Sequence, residues 1–578
     1  MSTLATEHPA FPSKFTLLIL LLLAVNLLIN NHQVSLWDED EAAYAGFAQE
    51  MVATNNWVTP SYPQSVIHRK TPLHFWAIAG SYQLFGENEF GVRFSSALAI
   101  FLTCLLVYFG TRNWLGTTVA ERAAVILATS VQLPLMGKIA FTDATLLLFE
   151  TGAVLGLLRF LQAPHWKWNL LLWGSVALGI LTKGPPILVL TGGLWVLLAI
   201  FHPKRNNLIG THPWFLGPLA LLPFAYWAWL SYQQDYALWA ASGSALPFQE
   251  WWNQTASDGR KIYLLPFLWD WYVLKRVGGA VLGQTGFPGY HFVMLTVAFL
   301  TWLPFWPSTL KALWQGLRGK TSLEERSLVL WIVMGWFFWE LMSSKLPSYA
   351  LGAQPALALL MALQLQKMEG KELTRTVKIG LWGHGILFFM VIIGLPIAGF
   401  YAFGELAWAY LLPMSGLLLL ILLQFWRSQK NSTNIYQYLA IFGGSFMLGL
   451  WLCVAPLIEQ SPVKSFDDLI ARAAQMTVEP KNTALYFTGL DLKQFKISLV
   501  FYAREAFGHY QTGSPAEVFA RFQSKEPVVL IVGTVGIEEL KQLFEQAHLP
   551  FEATKVEHQS TDDQLRAHDY WVLSNTKG

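Results

Sequence analysis

Trp37-Asp38-Glu39-Asp40-Glu41-Ala42-Ala43-Tyr44 decides how this chain is read, because of what precedes it. Residues 15–29 form an apolar run, unbroken from Leu17 to Leu23. Four consecutive carboxylates at the mouth of a membrane helix are costly unless they have work or partners. Acidic residues also favour a helix N-terminus, so one or two of the four are accounted for by capping. Capping does not need four, and the cluster reads as a catalytic lip. No A-x-A-like cleavage site follows the apolar run, so it is expected to be an uncleaved first span rather than a signal peptide.

Composition agrees with a membrane protein. The 578 residues are 54% hydrophobic and only 13% charged, against about 25% charged in soluble proteins. Mean hydropathy is +0.38. Net charge is +2, which gives no basic excess for nucleic acid. Cys104 and Cys453 both lie in apolar stretches and read as core residues. The histidines between residues 165 and 509 have no metal-ligand spacing, and Walker A and G-x-S-x-G motifs are absent. No cofactor or metal is expected.

Residues 42–52 have helical spacing and are expected to lie along the membrane, as is Leu73–Phe85 after the breaks at Pro60, Pro63 and Pro72. Apolar stretches then recur near 94–111, 122–136, 143–161, 169–182, 186–201, 213–232, 291–309, 327–343, 350–366, 379–401, 407–426 and 436–456. With the first, this predicts a polytopic α-helical membrane protein of about thirteen spans with outer juxtamembrane helices. With a cytoplasmic N-terminus, cytoplasmic loops carry most of the Lys and Arg, while the intervening short loops carry only Lys138, Lys183 and Lys345. The positive-inside rule then puts the acidic cluster, a long loop at 233–290 and the C-terminal region outside. From about residue 461 the composition turns soluble. Ala484–Thr488 and Val528–Val532 read as buried strands between helices, which predicts a small α/β domain. The expected division is 1–460, a transmembrane domain with outer loops 32–92 and 233–290, and 461–578. The turn Gly533-Thr534-Val535-Gly536 reads as a plain turn.

The outer side collects unusual charges beyond the acidic cluster. Arg69-Lys70 suits a phosphate-bearing ligand, since Arg forks two oxygens and Lys supplies a point charge. Asp143 stands at an outer span end, as a functional candidate or a helix cap. Lys183-Gly184-Pro185 and Lys345-Leu346-Pro347 each put a lysine beside proline at a helix boundary, for snorkelling or for an anion. The long loop carries Arg276 and Tyr290 among many aromatics.

Taken together, Asp40-Glu41-Ala42-Ala43-Tyr44, Trp57-Val58-Thr59-Pro60, Lys70-x-Pro72-Leu73-His74-Phe75-Trp76 and Phe85-Gly86-x-x-x-Phe90-x-x-Arg93 resemble the first outer loop of the GT-C glycosyltransferases. The likeness is to the branch of aminoarabinose lipid A transferases and protein O-mannosyltransferases. Asp143, Thr182-Lys183-Gly184-Pro185, Arg276, Pro288-x-Tyr290, Leu303-Pro304-Phe305 and Ser344-Lys345-Leu346-Pro347-x-Tyr349 extend it in order to about residue 365.

The resemblance implies a GT-C fold and an enzyme of the bacterial inner membrane. It would move a monosaccharide from a polyprenyl-phosphate (undecaprenyl-phosphate) carrier to lipid A or another envelope glycolipid or glycan on the periplasmic side. By the same likeness Asp40 is the main catalytic carboxylate, with Asp143 and Glu41 beside it. Lys70, Arg69, Lys183, Arg276 and Lys345 would bind carrier phosphate, and Tyr349 and Tyr290 would line the cavity. Arg69 stands where the branch has an acidic residue, and Thr285-Gly286 where it has a histidine, which makes a metal less expected. The alternatives are a protein O-mannosyltransferase-like enzyme and, in another class, a flippase for a lipid-linked anion. A flippase would expect internal repeats and charges at mid-membrane.

Overall fold

The computed structural model describes residues 11–37, 40–60, 70–256, 261–270, 274, 285–428, 432–459, 467–490, 497–559 and 567–576. It divides into two compact units, the first comprising residues 1–31, 69–77 and 93–454, the second 32–68, 78–92 and 455–578.

The chain opens with α1 (Lys14–Leu28), whose N-terminus is capped by the Ser13 hydroxyl accepting from the Thr16 N–H. Then come α2 (Asp40–Thr54), α3 (Leu73–Phe85), α4 (Glu89–Leu115) and α5 (Thr117–Ala128). After a short helical turn follow α6 (Thr142–Gln162), α7 (Trp166–Lys183) and α8 (Pro186–Phe201). This is a multi-pass membrane protein. Among the described residues seven helices are long and apolar enough to cross a bilayer, and an eighth crossing arises if the pair Tyr290–Ala298 and Leu300–Leu317, bent by 100°, is one span.

The count differs from thirteen because hydropathy sees neither bends nor breaks. The expected span 122–136 is interrupted after Ala128, and 327–343 is broken by a π-helical turn at Val333–Phe337. Helices α1 and α8 are apolar but only 15 and 16 residues long.

Burial sorts the spans. The apolar window of α6 is 89% buried, whereas that of Arg375–Phe403 is 22% buried. In a bilayer, close helix pairing needs small residues. Gly152 and Gly156, four apart on α6, provide it. A Cβ on Gly152 would lie 2.4 Å from the Ser175 Oγ, and one on Gly156 would lie 2.6 Å from the main-chain nitrogen of Leu172. Helices α6 and α7 therefore cross backbone to backbone, which fixes where Asp143, at the start of one, and Lys183, at the end of the other, come to lie. At the C-terminal end of α1, the Lys138 ammonium donates to the Ile29 carbonyl (2.7 Å) and to Asn31 Oδ1 (2.9 Å), and Arg93 donates to the Asn31 carbonyl (2.8 Å).

In the second unit five strands form one sheet in the order β2-β1-β3-β5-β4. These are β1 (Ala484–Thr488), β2 (Tyr510–Thr512), β3 (Val528–Val532), β4 (Thr554–Gln559) and β5 (Ala567–Ser574). β1 runs parallel to β2 and β3, while β5 is antiparallel to β3 and β4. All five residues of β3 are buried, as a central strand covered on both faces requires. The Gly533–Gly536 turn is structural. A Cβ on Gly489, itself at φ +59°, would lie 2.2 Å from the Gly536 nitrogen, so the two glycines allow a backbone approach.

Candidate functional site

The first unit brings Asp143 and Lys183 together. Asp143 is the second residue of α6, and Lys183 is the last of α7, released into Gly184 at φ +77°. The Lys183 ammonium lies 2.8 Å from each Asp143 oxygen, and both side chains are about nine-tenths buried. The Tyr349 ring stands 5.9 Å from the same nitrogen.

Two cavities share Lys183 and Pro185. One, of about 180 Å³, is lined by Asp143, Glu150, Trp339, Ser348 and Tyr349 among apolar side chains. The other, of about 290 Å³, is lined by Lys70, Thr71 and Lys183 together with the apolar Ile180, Leu188, Leu221, Phe224, Leu265 and Leu268. Two ammonium groups beside an apolar trough form a site for an amphipathic anion.

His74 holds the start of α6 in place. It is fully buried on α3; its Nε2 lies 3.1 Å from the Ala140 carbonyl and its Nδ1 3.3 Å from the Thr145 hydroxyl. A carbonyl only accepts, so Nε2 carries the proton and Nδ1 accepts from Thr145. Burial keeps this ring neutral, pulling its pKa down to about 4 against small raising effects from Ala140 and Asp143. A base whose pKa is lowered on folding binds more protons when unfolded. Stability therefore rises with pH between about 4 and 6.5, by about 3 kcal/mol over the window. On acidification from pH 7 the melting temperature of the solubilised protein should fall through that window, and His74→Gln should flatten the fall. Parallel curves for the two proteins would refute the assignment.

Lys345 is engaged elsewhere. Its ammonium donates to the Glu340 carbonyl oxygen (2.7 Å) and to Glu340 Oε1 (3.2 Å). The Glu340 carboxylate also accepts from the Gly289 N–H (2.7 Å) and the His291 N–H (3.1 Å), clamping the turn in front of Tyr290. Tyr290, the first residue of its helix, packs edge-on against Phe287. Arg69 and Arg276 lie outside the described residues.

In the second unit Asp40 opens α2 with its side chain exposed. Glu41 is fully buried and its Oε2 accepts from the Trp37 N–H (3.0 Å), so it staples the lead into α2. Asp38 and Glu39 lie outside the described residues. Helix α2 is tied down by Glu50, whose Oε2 lies 2.6 Å from Arg504, and Tyr82 donates to the Ala45 carbonyl (3.1 Å). The Tyr502 hydroxyl accepts from the Leu36 N–H (2.7 Å) and donates to Glu89 (3.1 Å).

Sequence reasoning missed Glu150, Glu340 and His74. Glu150 had a readable signal: an acid inside an apolar span, seven residues beyond Asp143 and so on the same helix face.

A family model described as dolichyl-phosphate-mannose-protein mannosyltransferase matches residues 69–229. The undecaprenyl phosphate-alpha-4-amino-4-deoxy-L-arabinose arabinosyl transferase of Aeromonas hydrophila is 27% identical over 375 residues, 64% of this chain and 63% of that relative. A Yersinia pestis protein of the same name is 27% identical over 404 residues, 66% of each chain. These matches span just under two thirds of the relatives' own length. Among solved structures, ArnT from Cupriavidus metallidurans bound to undecaprenyl phosphate superposes with a TM-score of 0.68 at 17% identity, covering 98% of this chain and 99% of that one. That likeness is one of fold.

Proposed function

We propose that this chain, which belongs to the GT-C glycosyltransferase superfamily of aminoarabinose lipid A transferases and protein O-mannosyltransferases, is an inverting transferase of a lipid-linked sugar. The donor would be a monosaccharide on a polyprenyl phosphate, undecaprenyl phosphate in a bacterium. The acceptor would be lipid A or another envelope glycolipid or glycan, on the periplasmic face of the inner membrane. The observation that carries this reading is the mainly apolar cavity that Lys70 and Lys183 help to line. Part of a prenyl chain suits its apolar side chains, and a phosphate suits its two ammonium groups.

The chemistry follows from charge. The bond between the sugar's anomeric carbon and the carrier phosphate breaks, and the acceptor oxygen attacks that carbon from the opposite face. The phosphodiester becomes a phosphomonoester and gains one negative charge. Cations at the leaving oxygen therefore stabilise the transition state more than the ground state, which is the condition for catalysis. Lys70 and Lys183 would take that role. Asp40 would accept the proton of the attacking oxygen. Asp143 would hold the Lys183 ammonium toward the phosphate.

The test is turnover of a panel of polyprenyl-phosphate sugars by the purified protein in nanodiscs. One donor should release free carrier phosphate, and Lys70→Ala should raise the donor KM about tenfold, the effect of one charge-assisted contact. Absence of turnover with every donor and acceptor, beside tight carrier binding, would favour lipid-linked-anion transport instead.

A further inference from the structure

The second unit contains a polar cleft that shares no lining residue with the cavity of Lys70 and Lys183. It has a volume of about 800 Å³ and is lined by Gln49 and Ala53 of α2, by Glu87, and by Lys481, Arg504, His509 and strand β2 of the C-terminal part. Every lining residue belongs to this unit.

Three observations say what would bind there. First, the cations are unequal. Arg504 is neutralised by Glu50, whereas the Lys481 ammonium donates to the Glu505 main-chain carbonyl, makes no carboxylate contact within 4 Å among the described residues and feels the Glu87 carboxylate at longer range. It keeps donors for an anion. Second, Gln49 is 2% exposed, and both its amide oxygen and its amide nitrogen lack a hydrogen-bond partner among the described residues. A buried amide left unpaired costs about 1–3 kcal/mol, so such groups require explanation. An unpaired donor beside an unpaired acceptor matches a hydroxyl group, which does both. Third, β2 is the edge strand of the sheet and adds the Tyr510, Gln511 and Thr512 groups to the wall. Two cations, of which Arg504 is already paired, and a single lining carboxylate, Glu87, among many neutral hydrogen-bonding groups describe a site for a polyhydroxylated anion rather than for bare phosphate.

Position gives the site its meaning. Gln49 lies nine residues after Asp40 on the same helix. At 1.5 Å per residue that is about 14 Å, the reach of a short oligosaccharide. We propose that this cleft is an acceptor subsite, which takes a phosphate- or carboxylate-bearing sugar of the glycolipid or glycan while its reacting oxygen extends to Asp40. The assignment rests on the transferase reading above.

Binding can be measured without any donor. The full chain is placed in phosphatidylcholine nanodiscs and titrated with glucose 1-phosphate, glucose and glycerol 1-phosphate, using ligand-observed NMR. Glucose 1-phosphate should bind, and glucose and glycerol 1-phosphate should each bind about tenfold more weakly, since each lacks one half of the recognition. Lys481→Gln should weaken glucose 1-phosphate about tenfold with an unchanged melting temperature, and Gln49→Leu should weaken both sugars. Equal binding to wild type and Lys481→Gln would overturn the site. Equal affinity for glycerol 1-phosphate would make it a phospholipid headgroup site and overturn the sugar assignment. Because no donor is present, failure here leaves the transferase reading standing, and failure of every donor in the turnover assay leaves this binding result standing.

Discussion

Asp40→Asn will lower kcat about a thousandfold, within the 10²–10⁴ that a positioned general base contributes, and leave the donor KM nearly unchanged. The substitution separates two explanations of one residue. Asp40 opens α2, where a carboxylate favours the helix N-terminus whatever else it does. Asn serves helix N-termini about as well as Asp but cannot take a proton at neutral pH. Stability should therefore hold, to within about 1 kcal/mol for the lost charge–dipole interaction, while turnover collapses. The neighbouring carboxylate cannot substitute, because Glu41 is buried on the Trp37 main chain and the Asp40 side chain is exposed. Glu41→Gln makes the contrast: it should lower the melting temperature, since the Trp37 N–H loses a charged acceptor, with a smaller effect on kcat. Full turnover by Asp40→Asn would make Asp40 a helix terminus and nothing more.

The local elements were the most legible part of the chain. Leu73–Phe85 was readable to the residue, and α2 to within a few, because each is a run of helix-compatible residues bounded by proline or asparagine breaks. Ala484–Thr488 and Val528–Val532 were readable because short runs of buried β-branched and aromatic residues stand out in a polar domain. The span count was less legible. A hydropathy window over 327–343 is dominated by Trp, Phe and Leu, whereas the backbone there passes through a π-helical turn.

Pairing was hidden for a related reason. Asp143 and Lys183 read as two separate candidates, one acidic and one basic. Nothing in forty residues of intervening sequence says that they meet; the meeting is made by Gly152 and Gly156, which let α6 and α7 close on each other. Lys345 looked like an anion site by its proline neighbours and the side of the membrane expected for it. Its partner, Glu340, lies only five residues away, in a span whose helix ends at Leu341, so the chain can fold back. Charge patterning identifies which residues are exceptional, and tertiary structure decides which of them answer one another.

The Asp143–Lys183 pair gives the second large effect and a way to divide structure from chemistry. Both groups are about nine-tenths buried, so removing one leaves the other as an uncompensated buried charge. That costs about 3–5 kcal/mol where a buried pair is broken. Lys183→Met should accordingly lower the melting temperature by several degrees and also remove a cation from the leaving phosphate. Losing one preorganised electrostatic contact of this kind lowers kcat about 10²–10³-fold. Asp143→Asn with Lys183→Met removes both charges and keeps both volumes, so the buried-charge penalty disappears and the melting temperature should recover most of its loss. Turnover should not recover, because the phosphate still lacks its cation. The melting temperature and kcat of the double variant then part company, and their separation measures what Lys183 contributes to the reaction rather than to the fold. If kcat returned together with the melting temperature, the pair would be a structural tie between α6 and α7, and Lys70 would stand as the cation of the carrier site.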